Sequence, residues 1–230
     1  MPATARGSVT ANVRRSSARC GERQSRSLVM ARPSDRLIRS RAELRNGLRS
    51  AYRGLSAAPP GHCPGMDITE LILDDHHRQR QAFAHLDDID RADTERLGLV
   101  WEQLADFLEV HAAAEEAVFY PELLKQADPD GAETKDAIGD HNDIRDGVAE
   151  ASRQVVGSDA WWEAVGRARR ANTEHMGEEE DEGLADFRRH ASLELRDELG
   201  LRFEAAKNPK VADTLDQSDK DPDAYITTNS

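Results

Sequence analysis

The sequence predicts an all-α protein, an up-down-up-down four-helix bundle with an additional C-terminal helix. Apolar residues recur at helical spacing from Met66 onward. Turn signals divide this region into four long amphipathic segments joined by short loops, which is the arrangement expected of an antiparallel bundle. Each of the four segments also carries one histidine on its apolar stripe: His76, His111, His141 and His175.

The first helix is predicted to begin at Asp67, which is followed by Glu70 in a pattern that resembles a capping box. Its inward positions are Ile68, Ile72, His76, Gln79, Phe83 and Leu86. This spacing places His76 on the core stripe. Its neighbour His77 lies about 100° round the helix, on the solvated side.

The second helix is predicted to begin near Asp93 or Thr94 and to break or kink at Pro121, because proline cannot donate the helical hydrogen bond. Its stripe contains Leu97, Val100, Trp101, Leu104, Phe107, Leu108, His111, Glu115 and Val118.

A turn at residues 127–131 introduces the third helix, and Gly157 ends it. Ser158 or Asp159 then caps the fourth helix. The third stripe contains Ile138, His141, Ile144, Arg145, Val148 and Val155, and the fourth contains Trp161, Val165, Ala168, Asn172, His175 and Glu179.

A further amphipathic stretch over about residues 184–206 is predicted to cover one end or side of the bundle. Its apolar residues are Leu184, Phe187, Leu193, Leu195, Leu199, Leu201 and Phe203. Residues 66–206 therefore form the predicted folded domain. Residues 207–230 are polar and acidic, and we expect a disordered tail there.

Residues 1–65 differ in composition from the rest of the chain. They contain thirteen arginines and three acids and so carry a charge of +10. Because the whole chain carries −13, the remaining residues carry −23. The favoured interpretation is that these residues are a disordered extension, or a non-native one that is not expressed because translation begins at Met66. The alternatives are a basic arm for nucleic acid or membrane, and a transit-like segment.

Both cysteines, Cys20 and Cys63, fall in that extension. The predicted domain therefore has no thiolate ligand and no disulfide, which fits a cytoplasmic protein. No secretory signal or membrane span is apparent. The charge of −23 argues against nucleic-acid binding, because the phosphate backbone would be repelled. We expect neither nucleic acid nor membrane as a partner.

The four histidines lie at compatible depths for adjacent antiparallel helices of roughly 25 residues: about nine, seventeen, nine and sixteen residues from the respective helix starts. Glu115 and Glu179 follow His111 and His175 by one helical turn. A single inward histidine is usually a hydrogen-bonded core residue. Four at one level, with two carboxylates, favour a shared metal centre, because each buried group left unpaired costs ~1–3 kcal/mol.

Imidazole and carboxylate ligands without thiolate suit iron or manganese, with zinc or copper as possible occupants in vitro. Carboxylates from two helices can each span two ions, which favours a dinuclear centre.

These motifs resemble the hemerythrin-like proteins of the HHE cation-binding family. The resemblance covers about residues 67–187, extending to 206. It is carried by Asp75-His76, His111-Ala-Ala-Ala-Glu115 followed by Phe119-Tyr120-Pro121, Asp140-His141, and His175-Met-Gly-Glu-Glu179-Glu180.

The resemblance implies a non-haem di-iron centre, two iron ions bridged by two carboxylates and an oxo or hydroxo group. It places His76 and His111 on one iron and His141 and His175 on the other, with Glu115 and the acid of the fourth helix as bridges.

Two positions depart from the oxygen carriers of this family. Arg145 stands where they have a second histidine of the third helix, and a guanidinium cannot ligate a metal. The candidates for that position are water, substrate and Tyr120. For Arg145 the two alternatives are pairing with a bridging carboxylate and attraction of an anion. The family places the fourth-helix acid at Glu180, whereas helix geometry favours Glu179, so both are retained. His62, His85 and His190 are not expected to bind metal.

The site predicts binding of dioxygen or nitric oxide by reduced di-iron. The alternative is a catalase-like enzyme that decomposes hydrogen peroxide in an oxidative stress response, and a third possibility is metal storage or a purely structural role. No catalytic acid or base and no organic cofactor site is predicted beyond the ligands, so enzymatic activity and oligomeric state stay open.

Overall fold

The computed structural model describes residues 66–230, and the predictions for residues 1–65, including those for Cys20, Cys63 and His62, lie outside it. The described residues form helices and connecting turns without a strand. The four long helices are α1 (Ile68–Asp87), α2 (Thr94–Ala114), α4 (Ala132–Ser152) and α5 (Asp159–Asp181). The shorter ones are α3 (Tyr120–Gln126), α6 (Gly183–His190), α7 (Leu193–Ala206), α8 (Pro209–Ala212) and α9 (Pro222–Asn229).

The predicted helix starts are confirmed by capping hydrogen bonds. The Asp67 carboxylate accepts from the backbone N–H of Thr69 at 2.9 Å, and Asp93 caps α2 in the same way. The hydroxyl of Ser158, rather than Asp159, caps α5. Gly157 precedes this cap with a φ of 82°, a left-handed conformation that glycine adopts without steric cost.

Contacts between the long helices show the antiparallel order. In the middle of α1, His76 meets Glu180, near the end of α5, at 2.9 Å. At the end of α1, Asp87 meets Arg169, in the middle of α5, at 2.8 Å, so these two helices run antiparallel. α4 and α5 approach so closely at Gly147 that a Cβ there would lie 2.7 Å from the backbone nitrogen of Ala168. The predicted four-helix bundle is thus confirmed.

Two apolar clusters fill the bundle, one on each side of the histidines. The first contains Phe83, Trp101 and Trp161, and the two indole rings meet edge to face at 6.0 Å. The second contains Ile68 and Phe119 together with Phe187 of α6 and Phe203 of α7. In α1, His76 follows Ile72 of the second cluster and precedes Phe83 of the first. The histidines therefore occupy a polar layer between two apolar ones.

The stretch 184–206 covers the bundle as two helices instead of one. The chain turns at Ala191, and Ser192 caps α7 by accepting from the backbone N–H of Leu195. Leu199 and Phe203 of α7 are buried, whereas Leu193 and Leu201 are exposed. Val155 is also exposed, since α4 ends at Ser152.

The expected disorder of residues 207–230 is contradicted by α8 and α9. Asn208 and Asp221 cap these helices with their side chains. Tyr225 packs against the second apolar cluster, and Asp223 pairs with Lys135 of α4 at 2.5 Å. The polar composition predicted disorder, but Tyr225 packs against the apolar cluster and Asp223 pairs with a lysine of the bundle. Within residues 66–230, no helix combines the length and apolar character needed to cross a membrane.

Candidate metal centre

The four inward histidines meet in the polar layer. His76 comes from α1, His111 from α2, His141 from α4 and His175 from α5, and all are buried. The rings of His141 and His175 have centroids 4.5 Å apart, and those of His76 and His111 are 5.2 Å apart. The predicted agreement in helix depth therefore brings four imidazoles into one cluster.

Each histidine turns its Nε2 atom toward the glutamates of this cluster. His111 Nε2 lies 2.9 Å from Glu115 Oε1, while His141 Nε2 lies 3.3 Å from the other oxygen, Glu115 Oε2. His76 Nε2 lies 3.2 Å from Glu179 Oε2, and His175 Nε2 lies 4.0 Å from the same atom. Each glutamate thus faces histidines from two helices.

The donors form three overlapping groups in which one ligand atom from every residue lies within 4.8 Å of the others. The first group is His76, His111 and Glu115, and the second is Glu115, His141 and His175. The third is His76, His175 and Glu179. The first two groups share Glu115, and the third takes one histidine from each of them.

Several of these atoms are buried without a hydrogen-bond partner. They are Nε2 of His76, Nε2 of His111, and both carboxylate oxygens of Glu115 and of Glu179. Their short mutual contacts lack hydrogen-bond geometry. Leaving one buried polar group unsatisfied costs ~1–3 kcal/mol. A bound cation would satisfy all of them together, so the donor set fits a metal.

The opposite ring nitrogen of every histidine faces a carboxylate. His76 Nδ1 lies 2.9 Å from Glu180, and His141 Nδ1 lies 2.8 Å from Glu116. His111 Nδ1 lies 3.3 Å from Asp75, and His175 Nδ1 lies 3.6 Å from Asp140. A carboxylate at Nδ1 orients the ring and leaves Nε2 free to bind a metal.

The structure brings together six of the seven predicted ligands, namely His76, His111, Glu115, His141, His175 and Glu179. Glu180 does not join the inward group. Its carboxylate lies on the outer side of His76 and pairs with Arg80 at 2.8 Å. The physical reason is helical phase, because a residue four positions after His175 stays on its face and one five positions after does not. His85 and His190 belong to none of the metal-binding groups.

Glu116 was missed from the sequence, and a wide helical turn explains why it is buried. Residues Glu115–Phe119 form a π-helical turn in which the N–H of Tyr120 bonds to the carbonyl of Glu115. Pro121 has no N–H to continue the α-helical pattern, so the irregularity lies just before the predicted break. Both Glu115 and Glu116 are consequently buried. The proline one turn later was the only available signal.

Arg145 points away from the six donors and toward Glu116. Its guanidinium donates to Glu116 Oε1 at 2.6 Å, and the side chain is 7% exposed. Arg145 therefore pairs with Glu116, the residue that follows the inward Glu115, and not with a predicted bridging carboxylate. Tyr120 lies closer to the donors, with its hydroxyl 3.4 Å from His141 Nε2.

The electrostatics of the metal-free site favour a protonated His111 and an ionised Glu115. Burial opposes the charge on His111, but the carboxylates of Glu115 and Asp75 outweigh it and raise its pKa to about 10. Burial also opposes ionisation of Glu115, yet His111 and His141 hold the pKa of that carboxyl well below its usual range. Protons and metal must therefore compete for the same Nε2 atoms.

The family profile described as "Hemerythrin HHE cation binding domain" matches residues 67–187. These residues include all four histidines and both inward glutamates, and they end within α6. No match was found among curated proteins or among solved structures. The matched region spans just over half of the chain, and the protein therefore belongs to the hemerythrin family of HHE cation-binding domains.

Proposed function

We propose that this protein holds a non-haem di-iron centre that binds dioxygen or nitric oxide. The observation that carries the proposal is the overlap of the three donor groups. Two of these groups share Glu115, and the third combines Glu179 with one histidine from each of the other two. His76 and His111 would hold one ion, and His141 and His175 the other. Glu115 and Glu179 would contact both.

Iron is favoured by the chemistry of the donors. The inward set contains four imidazoles and two carboxylates without a thiolate, which suits iron or manganese. When bound, an iron pair supplies redox electrons and an exchangeable coordination position for a small ligand. The protein's own contribution is to hold the rings through the carboxylates at Nδ1, and to exclude bulk water with the apolar clusters on either side.

Metal content tests the first part of this proposal. The wild-type protein grown with ample iron should hold about two iron ions per chain, as helical-bundle di-iron proteins do. His111→Ala should lose most of that iron. His77→Ala is the matched control, because His77 is exposed and contacts Gln81 of its own helix. Wild-type protein that contains no iron would contradict the proposal.

Ligand binding tests the second part. The iron-loaded protein is reduced without oxygen and is then exposed separately to dioxygen and nitric oxide under optical observation. Reversible spectral changes would support a carrier or a sensor. Irreversible oxidation by dioxygen, without a spectral response to nitric oxide, would contradict a ligand-binding role.

The second candidate function is decomposition of hydrogen peroxide, and Arg145 is the observation that favours it. Its guanidinium is bound to Glu116, so the third helix contributes one nitrogen ligand in place of two. The position without that second nitrogen ligand would be open to peroxide, and the Tyr120 hydroxyl beside His141 would offer it a hydrogen bond. Burial and the charges of Glu179 and Glu115 raise the pKa of Tyr120 well above its usual value, which keeps that proton in place. Sustained oxygen evolution from peroxide, abolished in His111→Ala, would favour the enzyme.

A further inference from the structure

Two lysines that follow the family-matched region contact the carboxylates behind two of the histidines. Lys207, at the end of α7, places its ammonium 2.5 Å from Asp75 Oδ2. The same carboxylate oxygen lies 3.3 Å from His111 Nδ1. The matched region ends at residue 187, so α7 adds a cation to a pair that the bundle itself builds.

The second lysine repeats this arrangement at another histidine, His141. Lys220, between α8 and α9, places its ammonium 2.7 Å from Glu116 Oε2. Glu116 Oε1 lies 2.8 Å from His141 Nδ1. Asn142 forms two hydrogen bonds with the backbone of Lys220. The Asn142 side chain donates to the carbonyl of Lys220 at 2.7 Å and accepts from the N–H of Lys220 at 3.0 Å.

These contacts differ from ordinary surface ion pairs in their burial. The side chains of Lys207 and Lys220 are 11% and 17% exposed, and those of Asp75 and Glu116 are 2% exposed. Exposed pairs contribute little, whereas removing a cation from a buried carboxylate is unfavourable. Each carboxylate also contacts one arginine, since Asp75 lies 3.4 Å from Arg78 and Glu116 lies 2.6 Å from Arg145. Lys207 also contacts Glu204 and the ring of Phe203, and Phe203 packs against His111. Lys220 also bonds to the carbonyls of Asp216 and Ser218.

We propose that Lys207 and Lys220 are positioning residues of the metal centre, acting through Asp75 on His111 and through Glu116 on His141. This inference rests on the proposed function as a metal site. Each ammonium holds its carboxylate in place and draws negative charge away from the imidazole. Without the ammonium, the carboxylate would be held less firmly, so the ring would be less well oriented and the metal would be lost faster. The loss of a nearby positive charge would also favour the oxidised metal over the reduced one.

The test replaces each lysine by methionine, which keeps the length of the side chain and removes the charge. Lys207→Gln and Lys220→Gln serve if a methionine variant does not fold, and Lys207→Arg and Lys220→Arg test rescue by a retained charge. Lys125→Met is the control, because Lys125 is half exposed and pairs with Glu122 within α3.

For the iron-loaded protein, we expect both methionine variants to lower the reduction potential and to speed iron loss to a chelator by about tenfold or more, the range seen for groups that support metal ligands. Arginine should restore both values, and Lys125→Met should change neither. A reduction potential equal to that of the wild type in both methionine variants would overturn the proposal, even if their unfolding free energies fall.

A measurement on the metal-free protein separates this inference from the proposed function. Histidine-ring NMR signals should shift at His111 in Lys207→Met and at His141 in Lys220→Met, with the other rings much less affected. If wild-type protein fails to load iron, the proposed function fails, while the ring signals still decide whether the lysines position the histidines. Unchanged ring signals in both variants would overturn the positioning role.

Discussion

His141 and Glu116 form the closest histidine–carboxylate contact of the site, with Nδ1 of the ring 2.8 Å from Oε1 of the acid. The preceding residue, Glu115, faces Nε2 of the same ring at 3.3 Å. Two consecutive glutamates thus meet opposite edges of one imidazole, although successive residues of a regular helix point about 100° apart. Both lie in the π-helical turn at Glu115–Phe119.

Glu116→Gln should weaken metal binding without removing an inward ligand. The amide keeps the size of the side chain but loses the charge that binds Arg145 and Lys220, so both cations would be left buried or forced to move. We expect the iron affinity to fall by about 10–100-fold, measured by competition with a chelator. Glu122→Gln, which removes one partner of a pair on α3, is the control and should bind iron like the wild type. Equal affinities in the two variants would refute a role for Glu116.

The two neighbouring acids of α5 should differ sharply when each is changed to glutamine. Glu179→Gln removes a donor that faces His76 and His175, and its iron content should fall to one ion per chain or less. Glu180→Gln removes only the outer partner of His76, so both ions should be retained with a faster loss to chelator. Metal analysis after desalting distinguishes the two. The reverse order would assign the bridging role to Glu180.

Close packing of α4 on α5 predicts that Gly147→Ala destabilises the bundle. The added methyl group would lie 2.7 Å from the Ala168 nitrogen and 2.8 Å from its Cα, which are backbone atoms that cannot move aside. We expect the free energy of unfolding to fall by about 1–3 kcal/mol. Gly139→Ala in the same helix meets no atom within 4 Å, and it should be neutral or stabilise by ~0.5–1 kcal/mol. Denaturant unfolding of the metal-free proteins compares them, and equal effects would contradict the close approach.

The metal-free protein should lose stability as the pH rises above neutrality. The pKa of His111 is raised from 6.5 to about 10 in the folded protein. A group with a raised folded pKa contributes stability fully below its unfolded pKa, and this contribution disappears as the pH passes the folded value. The free energy of unfolding should therefore decrease between pH 6.5 and pH 10.

His111→Gln should flatten this decrease, because glutamine does not titrate. Iron-loaded protein should not show it, since a metal-bound imidazole has already lost the proton at Nε2. Urea unfolding across the pH range gives the comparison. A metal-free protein whose stability is constant from pH 6.5 to pH 10 would contradict the protonated state of His111.

Much of this protein is determined by the sequence alone, and the reason is local geometry. Apolar periodicity and capping residues predicted the four long helices, and equal depth along them placed four histidines at one level. Helical phase also selected Glu179 over Glu180, because four residues make about one turn. These inferences need only the regular repeat of an α-helix, which the chain follows through most of residues 67–187.

The tertiary structure decided what the regular repeat cannot express. Glu115 and Glu116 are both buried in a π-helical turn, and a turn at Ala191 divides residues 184–206 into two helices with Leu193 and Leu201 exposed. Lys207 and Lys220 reach Asp75 and Glu116 across 132 and about a hundred residues of sequence respectively. Such long-range pairs depend on how helices pack, because a buried carboxylate stabilises whichever cation the fold brings within reach, and no local pattern identifies that cation.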